Sequence, residues 1–395
     1  MTTFIGSGDS TALGRPLPPW INSRGEAIAD PRHPRHPAGY LADPGLIDAV
    51  NTALILGKPL LLTGRPGSGK SELAERIAWE FGLSPVLRFE AQSLSEAQEL
   101  FYRFDLVGQM ADAQLAAALR REPQAPEAFL TFGPLGQAIL HANPTPHGDL
   151  AAWDRRADAA QPTQPAAAPL PADPPAARRS VVLIDEIDKA ARDVPNDLLN
   201  GIERLEFRIR ELRNRPVAAP DEPTLRPIVI ITSNSERDLP EPFLRRCVFH
   251  HIAEPDQDKL REILRARVAG LDERDAFDGG DRPGDAGRNA GHSAGRPLTP
   301  FYEALLSFFV AFRDDPGAHT AYTPGTSELL DWTRVLRQLG ADAQRDLADN
   351  AALLARSLGA VVKHGDDLTV LRQAFIRLRG LDLRHPAARS GSRAA

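Results

Sequence analysis

The run KPLLLTGRPGSGKSELAERIAWEFGL, residues 58–83, constrains the fold more than any other part of the chain. It joins a short apolar strand, Leu60–Leu62, through a glycine-rich loop to a helix on which Leu73, Ile77, Ala78 and Phe81 share a face. Gly64, Arg65, Pro66, Gly67, Ser68, Gly69, Lys70 and Ser71 satisfy the pattern G-x-x-x-x-G-K-S/T. Small residues let successive backbone N–H groups turn inward around a phosphate, and the helix that follows adds its positive N-terminal end. Lys70 is expected to reach the outer phosphates of a nucleoside triphosphate, and the Ser71 hydroxyl to ligate Mg2+. A glycine-rich turn that binds nothing is the alternative, and the strand–loop–helix setting argues against it.

Two further apolar runs complete the pattern. SVVLIDEIDKA reads as a buried strand ending in acids, and RPIVIITSN as another buried strand. Strands alternating with helices predict a parallel sheet covered on both faces. Ligands gather outside the carboxyl ends of such strands. Asp185 is therefore placed to hold Mg2+, directly or through water, and Glu186 to polarise a water for attack on the terminal phosphate. Taken alone, an apolar run before Asp-Glu is often a strand leading into a solvated turn. Asp188 and Lys189 are read in that bland way, as the solvated start of the next helix.

Composition narrows the class. Lys plus Arg number 47 against 53 Asp plus Glu, a formal charge of −6, so a broad nucleic-acid clamp is not expected, although a local basic patch is compatible. A single cysteine, Cys247, excludes an intrachain disulfide and reads as a small buried hydrophobe without a catalytic partner. His33 and His36 have no Cys or further His at metal-ligand spacing, and His250 and His251 read as packing or solvated residues. Trp153 and Trp332 read as packing residues. Neither a secretory h-region nor an apolar run of spanning length occurs, so a soluble, cytoplasmic chain without a membrane span is expected.

The 35 prolines mark the divisions. Residues 1–38 read as a disordered or loosely docked arm. An α/β unit spans 39–268, opening with a helix that Asp43, Pro44 and Gly57 delimit. Within it lies an insertion, about 104–179, partly helical at first and low-complexity at its end, QPTQPAAAPLPADPPAARR. A flexible linker at 269–298 leads to an all-α unit at 299–380 with three helical patterns, and 381–395 reads as a disordered tail.

With these motifs in place the chain resembles the AAA+ ATPases, specifically the MoxR-like, dynein-related branch. YLADPGLIDAVNTALILGKPLLLTGRPGSGKSELA is similar to that branch's approach to the nucleotide site, which contains its Walker A loop. LIDEIDKAARDVPNDLLNGIE and SNSERDLPEPFLRRCVFH are similar to its Walker B and its sensor 1 to arginine-finger regions. The likeness covers about 39–265 apart from the insertion, and more weakly 299–380. It implies a P-loop NTPase fold, an α/β parallel sheet with flanking helices plus a small all-α lid. It also implies ATP and Mg2+ as ligands, Asn234 as sensor 1, and Arg246 or Arg245 as the finger that completes a neighbouring subunit's site. The bland alternatives are a turn residue at Asn234 and solvated helix-surface arginines. Glu328 stands where many members carry a second sensor arginine, and Arg334 and Arg337 lie further along the same helix. LFYRFDLVGQMADAQ fits the branch's extra helical element, and LEFRIREL its hairpin before sensor 1, or an ordinary edge strand.

The resemblance thus implies an ATPase working as a homo-oligomeric ring, a hexamer in the family. Such a ring would remodel or mature a partner protein carrying a von Willebrand factor A-like domain, or a metalloenzyme awaiting its cofactor, with no direct contact to nucleic acid. Two rivals are a GTP-driven relative that powers a nucleic-acid restriction complex and a non-hydrolysing ATP-binding scaffold. A small GTPase is disfavoured because no Asn-Lys-x-Asp base-reading motif follows.

Overall fold

The apolar runs line up as one parallel five-stranded sheet in the computed structural model, which describes residues 3–6, 19–22, 24–30, 33, 35–147, 150, 176–191, 193–268, 271 and 298–384. Its strands are β1 (Leu60–Thr63), β2 (Leu87–Glu90), β3 (Val181–Asp185), β4 (Ile228–Ser233) and β5 (Val248–His251), in the order β5-β1-β4-β3-β2. The central three are buried on both faces, which is why they read as continuous apolar runs rather than alternating ones. β2 escaped the sequence reading because Arg88 and Glu90, on an edge strand, break up its apolar pattern.

Register sets the site. β4 pairs with β1 through Thr232↔Leu62 and with β3 through Ile231↔Ile184, so the ends of β1, β3 and β4 lie side by side, about 4.8 Å apart. Successive side chains go to opposite faces. Leu61, Val182, Ile184, Val229 and Ile231 pack in one core with Leu135, Ile139 and Leu198. Leu60, Leu62, Leu183 and Ile230 pack in the other with the helices Pro44–Leu56 and Lys70–Phe81. The first of these helices is delimited as expected. Asp43 accepts a hydrogen bond from the Leu46 N–H at 2.8 Å, and Gly57 closes the helix at φ 61°.

Between β2 and β3 stand the helices Leu106–Leu119 and Pro134–Ala142 and an antiparallel pair, Tyr102–Phe104 with Leu130–Phe132. Residues 151–175, which hold the Pro/Ala-rich end of the insertion and Trp153, lie outside the described residues. LEFRIREL forms the first arm of a hairpin, Glu206–Ile209 with Arg215–Ala218.

The C-terminal helices Pro300–Arg313, Thr326–Gln338, Ala351–Ser357 and Gly365–Arg379 surround the buried Phe308, Trp332 and Phe375. Ala351–Ser357 is an addition to the three expected, too short and alanine-rich to show a stripe. Leu260 and Leu264 of the helix Gln257–Arg267 join this core, so that helix, read as part of the α/β unit, turns its apolar side to the helical one. Of the linker and tail, residues 269–270, 272–297 and 385–395 lie outside the described residues.

Of the two expectations for the N-terminal arm, disordered or loosely docked, its described part takes a docked arrangement. Phe4, Trp20 and His36 are buried, and they cover the outer face of the helix Lys70–Phe81. That face carries Glu75, Arg76, Trp79 and Glu80, all buried. Arg76 pairs with Glu80 at 3.1 Å and donates to the carbonyls of Pro37 and Ala38, while Glu80 accepts from the N–H groups of Ile5 and Gly6. Residues 7–18 lie outside the described ones.

Candidate functional site

The loop after β1 turns through Gly64 (φ 148°), Gly67 (φ 77°) and Gly69 (φ 87°), backbone positions that side chains rarely adopt. A Cβ at Gly64 would lie 2.8 Å from the Ile252 carbonyl oxygen, so space as well as torsion requires glycine there. Lys70 opens the helix and is 6% exposed. Its Nζ donates to the carbonyls of Gly64 at 2.8 Å and Arg65 at 2.9 Å, which keeps the ammonium against the loop. Burial lowers its pKa, opposed by the charges of Asp185, Asp188 and Glu186. The Ser68 hydroxyl is buried with no hydrogen-bond partner among the described residues.

Across from the loop, Ser71 Oγ donates to Asp185 Oδ1 at 2.8 Å. A hydroxyl beside a carboxylate is a hard oxygen donor pair of the kind Mg2+ takes. Thr232 Oγ1 donates to the same Asp185 oxygen at 2.5 Å and accepts from the Glu186 N–H at 2.9 Å. Glu186 is left-handed (φ 56°, ψ 48°). Its carboxylate accepts from Asn234 Nδ2 at 3.1 Å and from Lys189 Nζ at 2.5 Å. Glu186 is also the main cause of the raised Lys189 pKa.

Gly64 to Ser71, Asp185, Glu186 and Asn234 are thus brought to one edge of the sheet. Asp188 corrects the sequence reading. It is 3% exposed, and its carboxylate accepts from the N–H groups of Asn234 and Glu236. Ile187–Lys189 is a single 3-10 turn, and the next helix starts at Val194. Thr232 was missed, although the hydroxyls of TSN beside the acid strand were the available signal.

Arg245 and Arg246 lie elsewhere. They follow the short helix Glu241–Leu244 at the start of β5, where Lys58 Nζ donates to the Arg245 carbonyl. Lys58 precedes β1, so a strand of about 13 Å separates them from the loop at its far end. Arg246 pairs with Glu203 at 2.8 Å and Arg245 with Glu241 at 3.2 Å. Beside them the Cys247 thiol is pushed up to about 12 by burial and stays protonated. His250 is largely buried, whereas His251 is exposed and meets Thr63 Oγ1 at 3.0 Å.

A cavity of about 390 Å³ opens between the loop and the C-terminal helices, lined by Tyr40, Asp43, Gly69, Ile252, Ser327 and Leu330 among others. Ser327 Oγ donates to the Gly67 carbonyl at 3.1 Å, tying the helix Thr326–Gln338 to the loop. Glu328 is held within its own turn. Its carboxylate accepts from the Gly325 N–H and from the Tyr322 hydroxyl, so it caps its own helix. Arg334 and Arg337 are not among the residues lining the cavity.

Residues 59–247 match the family model of the AAA domain, dynein-related subfamily. This stretch is a dynein-related AAA domain. The match runs from the start of β1 to Cys247 and so takes in the loop, both acids, Asn234 and the arginine pair. A search of curated proteins finds no match. Among solved structures similar to this chain is that of C. elegans PCH-2, with 14% identity, 87% of this chain and 72% of that one covered, and a TM-score of 0.37. Among the described residues no helix is long and apolar enough to cross a membrane.

Proposed function

We propose that this chain is a MoxR-like ATPase whose sites are completed between subunits of a ring and whose work remodels or matures a partner protein. One observation carries the reading. Lys70, Ser71, Asp185, Glu186 and Asn234 converge on one edge of the sheet, while the arginine pair sits at the opposite end of β1, unable to reach it within one chain. Exposed apolar side chains near that end, Leu56 at 57% and Leu244 at 40%, suit a subunit contact.

In this reading the loop N–H groups and Lys70 bind the phosphates of ATP. Ser71 and Asp185 would hold Mg2+, which neutralises phosphate charge when bound. Glu186 takes the proton of the attacking water, Asn234 orients that water, and Arg246, or Arg245, stabilises charge on the transferred phosphoryl group from the next subunit. The partner is proposed to carry a von Willebrand factor A-like domain, and a hexamer is the ring the family favours.

Steady-state ATP hydrolysis per subunit, measured from nanomolar to micromolar protein, tests this. Specific activity that climbs to a plateau supports shared sites; a flat profile with a single-chain mass in solution overturns them. A non-hydrolysing scaffold is the second reading. It is favoured by the engagement of the Glu186 carboxylate by Lys189 and Asn234 and by Glu328 in place of an arginine. Tight ATP binding without turnover, with or without the partner, would select it. GTP run in parallel separates the GTP-driven relative.

A further inference from the structure

The loops that follow β3 and β4 are laced to each other by two buried residues, Thr232 and Asp188, that the nucleotide-site reading gives no role. From β4, Thr232 is 0% exposed and spends its hydroxyl on β3's end, donating to Asp185 Oδ1 and accepting from the Glu186 N–H. From the turn after β3, Asp188 reaches the other way and accepts from the N–H groups of Asn234 and Glu236. One hydroxyl therefore fixes the metal-site carboxylate and the backbone of the proposed base together. One carboxylate fixes the backbone of the residue that donates to that base. Glu186 needs such a restraint. A left-handed backbone is strained for a residue with a Cβ, and the Glu186 N–H bond to Thr232 is a contact that holds it.

We infer that Thr232 and Asp188 are positioning residues for hydrolysis, setting the Asp185–Glu186 pair against Asn234 without touching nucleotide. The inference rests on the reading of Glu186 as the base. Thr232→Val removes the hydroxyl and keeps the shape; Thr232→Ser keeps the hydroxyl and opens a methyl-sized void. T232V is expected to lower kcat at least about tenfold while affinity for a fluorescent ATP analogue stays within about threefold, and T232S to restore turnover to within about threefold of the parent.

A role in packing alone would make both variants follow their melting temperatures. The inference is overturned by T232V turning over like the parent, by an affinity loss that matches the rate loss, or by T232S as slow as T232V. Glu186→Gln is run beside them. If E186Q is inactive and T232V is normal, the positioning inference fails and the base reading stands; if E186Q hydrolyses like the parent, the base reading has failed. Asp188→Asn, which keeps one acceptor oxygen and loses the charge, tests the other half of the lacing should T232V not fold. It is expected to slow turnover at least about fivefold at unchanged affinity, and parent-like turnover would overturn that half.

Discussion

In the proposed reading Lys70 and Glu186 serve different steps, and their surroundings say how each would fail. The Lys70 ammonium already lies against the Gly64 and Arg65 carbonyls, so replacing it by alanine removes charge from a preformed phosphate cradle. Lys70→Ala should weaken nucleotide binding itself by about tenfold or more, read by a fluorescent-nucleotide titration. Unchanged affinity would count against the loop as the binding site. Glu186→Gln leaves the cradle intact. It keeps the hydrogen-bond geometry to Asn234 and loses the basic oxygen, so ATP should bind normally and turn over at least about a hundredfold more slowly. A steady-state assay with the binding titration separates these two effects. Glu328, where many members of the resembled branch carry a second sensor arginine, spends its carboxylate on the Gly325 N–H and the Tyr322 hydroxyl.

At the scale of elements, the helix Lys70–Phe81 is buried almost all round, by the sheet on one side and by the N-terminal segment on the other. Breaking the buried Arg76–Glu80 pair should therefore be costly. Arg76→Met leaves the Glu80 carboxylate without its counter-charge and should destabilise the fold by about 3–5 kcal/mol in a urea titration. A loss below about 1 kcal/mol would mean the segment does not cover this helix in solution.

His36 sits in the same segment, edge-on to Trp20 and Trp79, and its pKa is lowered to about 4. Burial is the main cause; His33, Arg267 and Arg76 add to it and Asp30 opposes it. The unfolded chain takes up this proton near pH 6.5 and the folded one only near 4, so stability should fall as pH drops through that window and level off below it. His36→Gln should flatten the slope, as measured by melting temperature against pH.

For the whole molecule, the separation of the arginine pair from the loop is the consequential fact. β1 carries the phosphate loop at one end and Lys58, against Arg245, at the other. If the sites are shared, Arg246→Ala and Lys70→Ala subunits should each be inactive alone and regain activity when mixed, because one supplies the loop and the other the arginine. A mixture that stays inactive, with ring formation verified by mass, would place the finger elsewhere.

What the sequence determined by itself is what depends on contiguous residues. The loop and its helix, the apolar runs of β1, β3 and β4, and the caps Asp43 and Gly57 all follow from spacing along the chain. The nucleotide-site pattern was legible for the same reason, since a loop bonds to its own next turn. Tertiary structure decided the rest. Asp188 read as the solvated start of a helix until the loop after β4 brought two N–H groups to it, and the contacts of Thr232 exist only because β4 lies next to β3. Glu75, Arg76 and Glu80 lie off the apolar face shared by Leu73, Ile77, Ala78 and Phe81, and a proline-rich segment far from them in sequence buries them. A charge or hydroxyl carries no local sign of its partner, so its environment is set only when strands and segments distant in the chain come together.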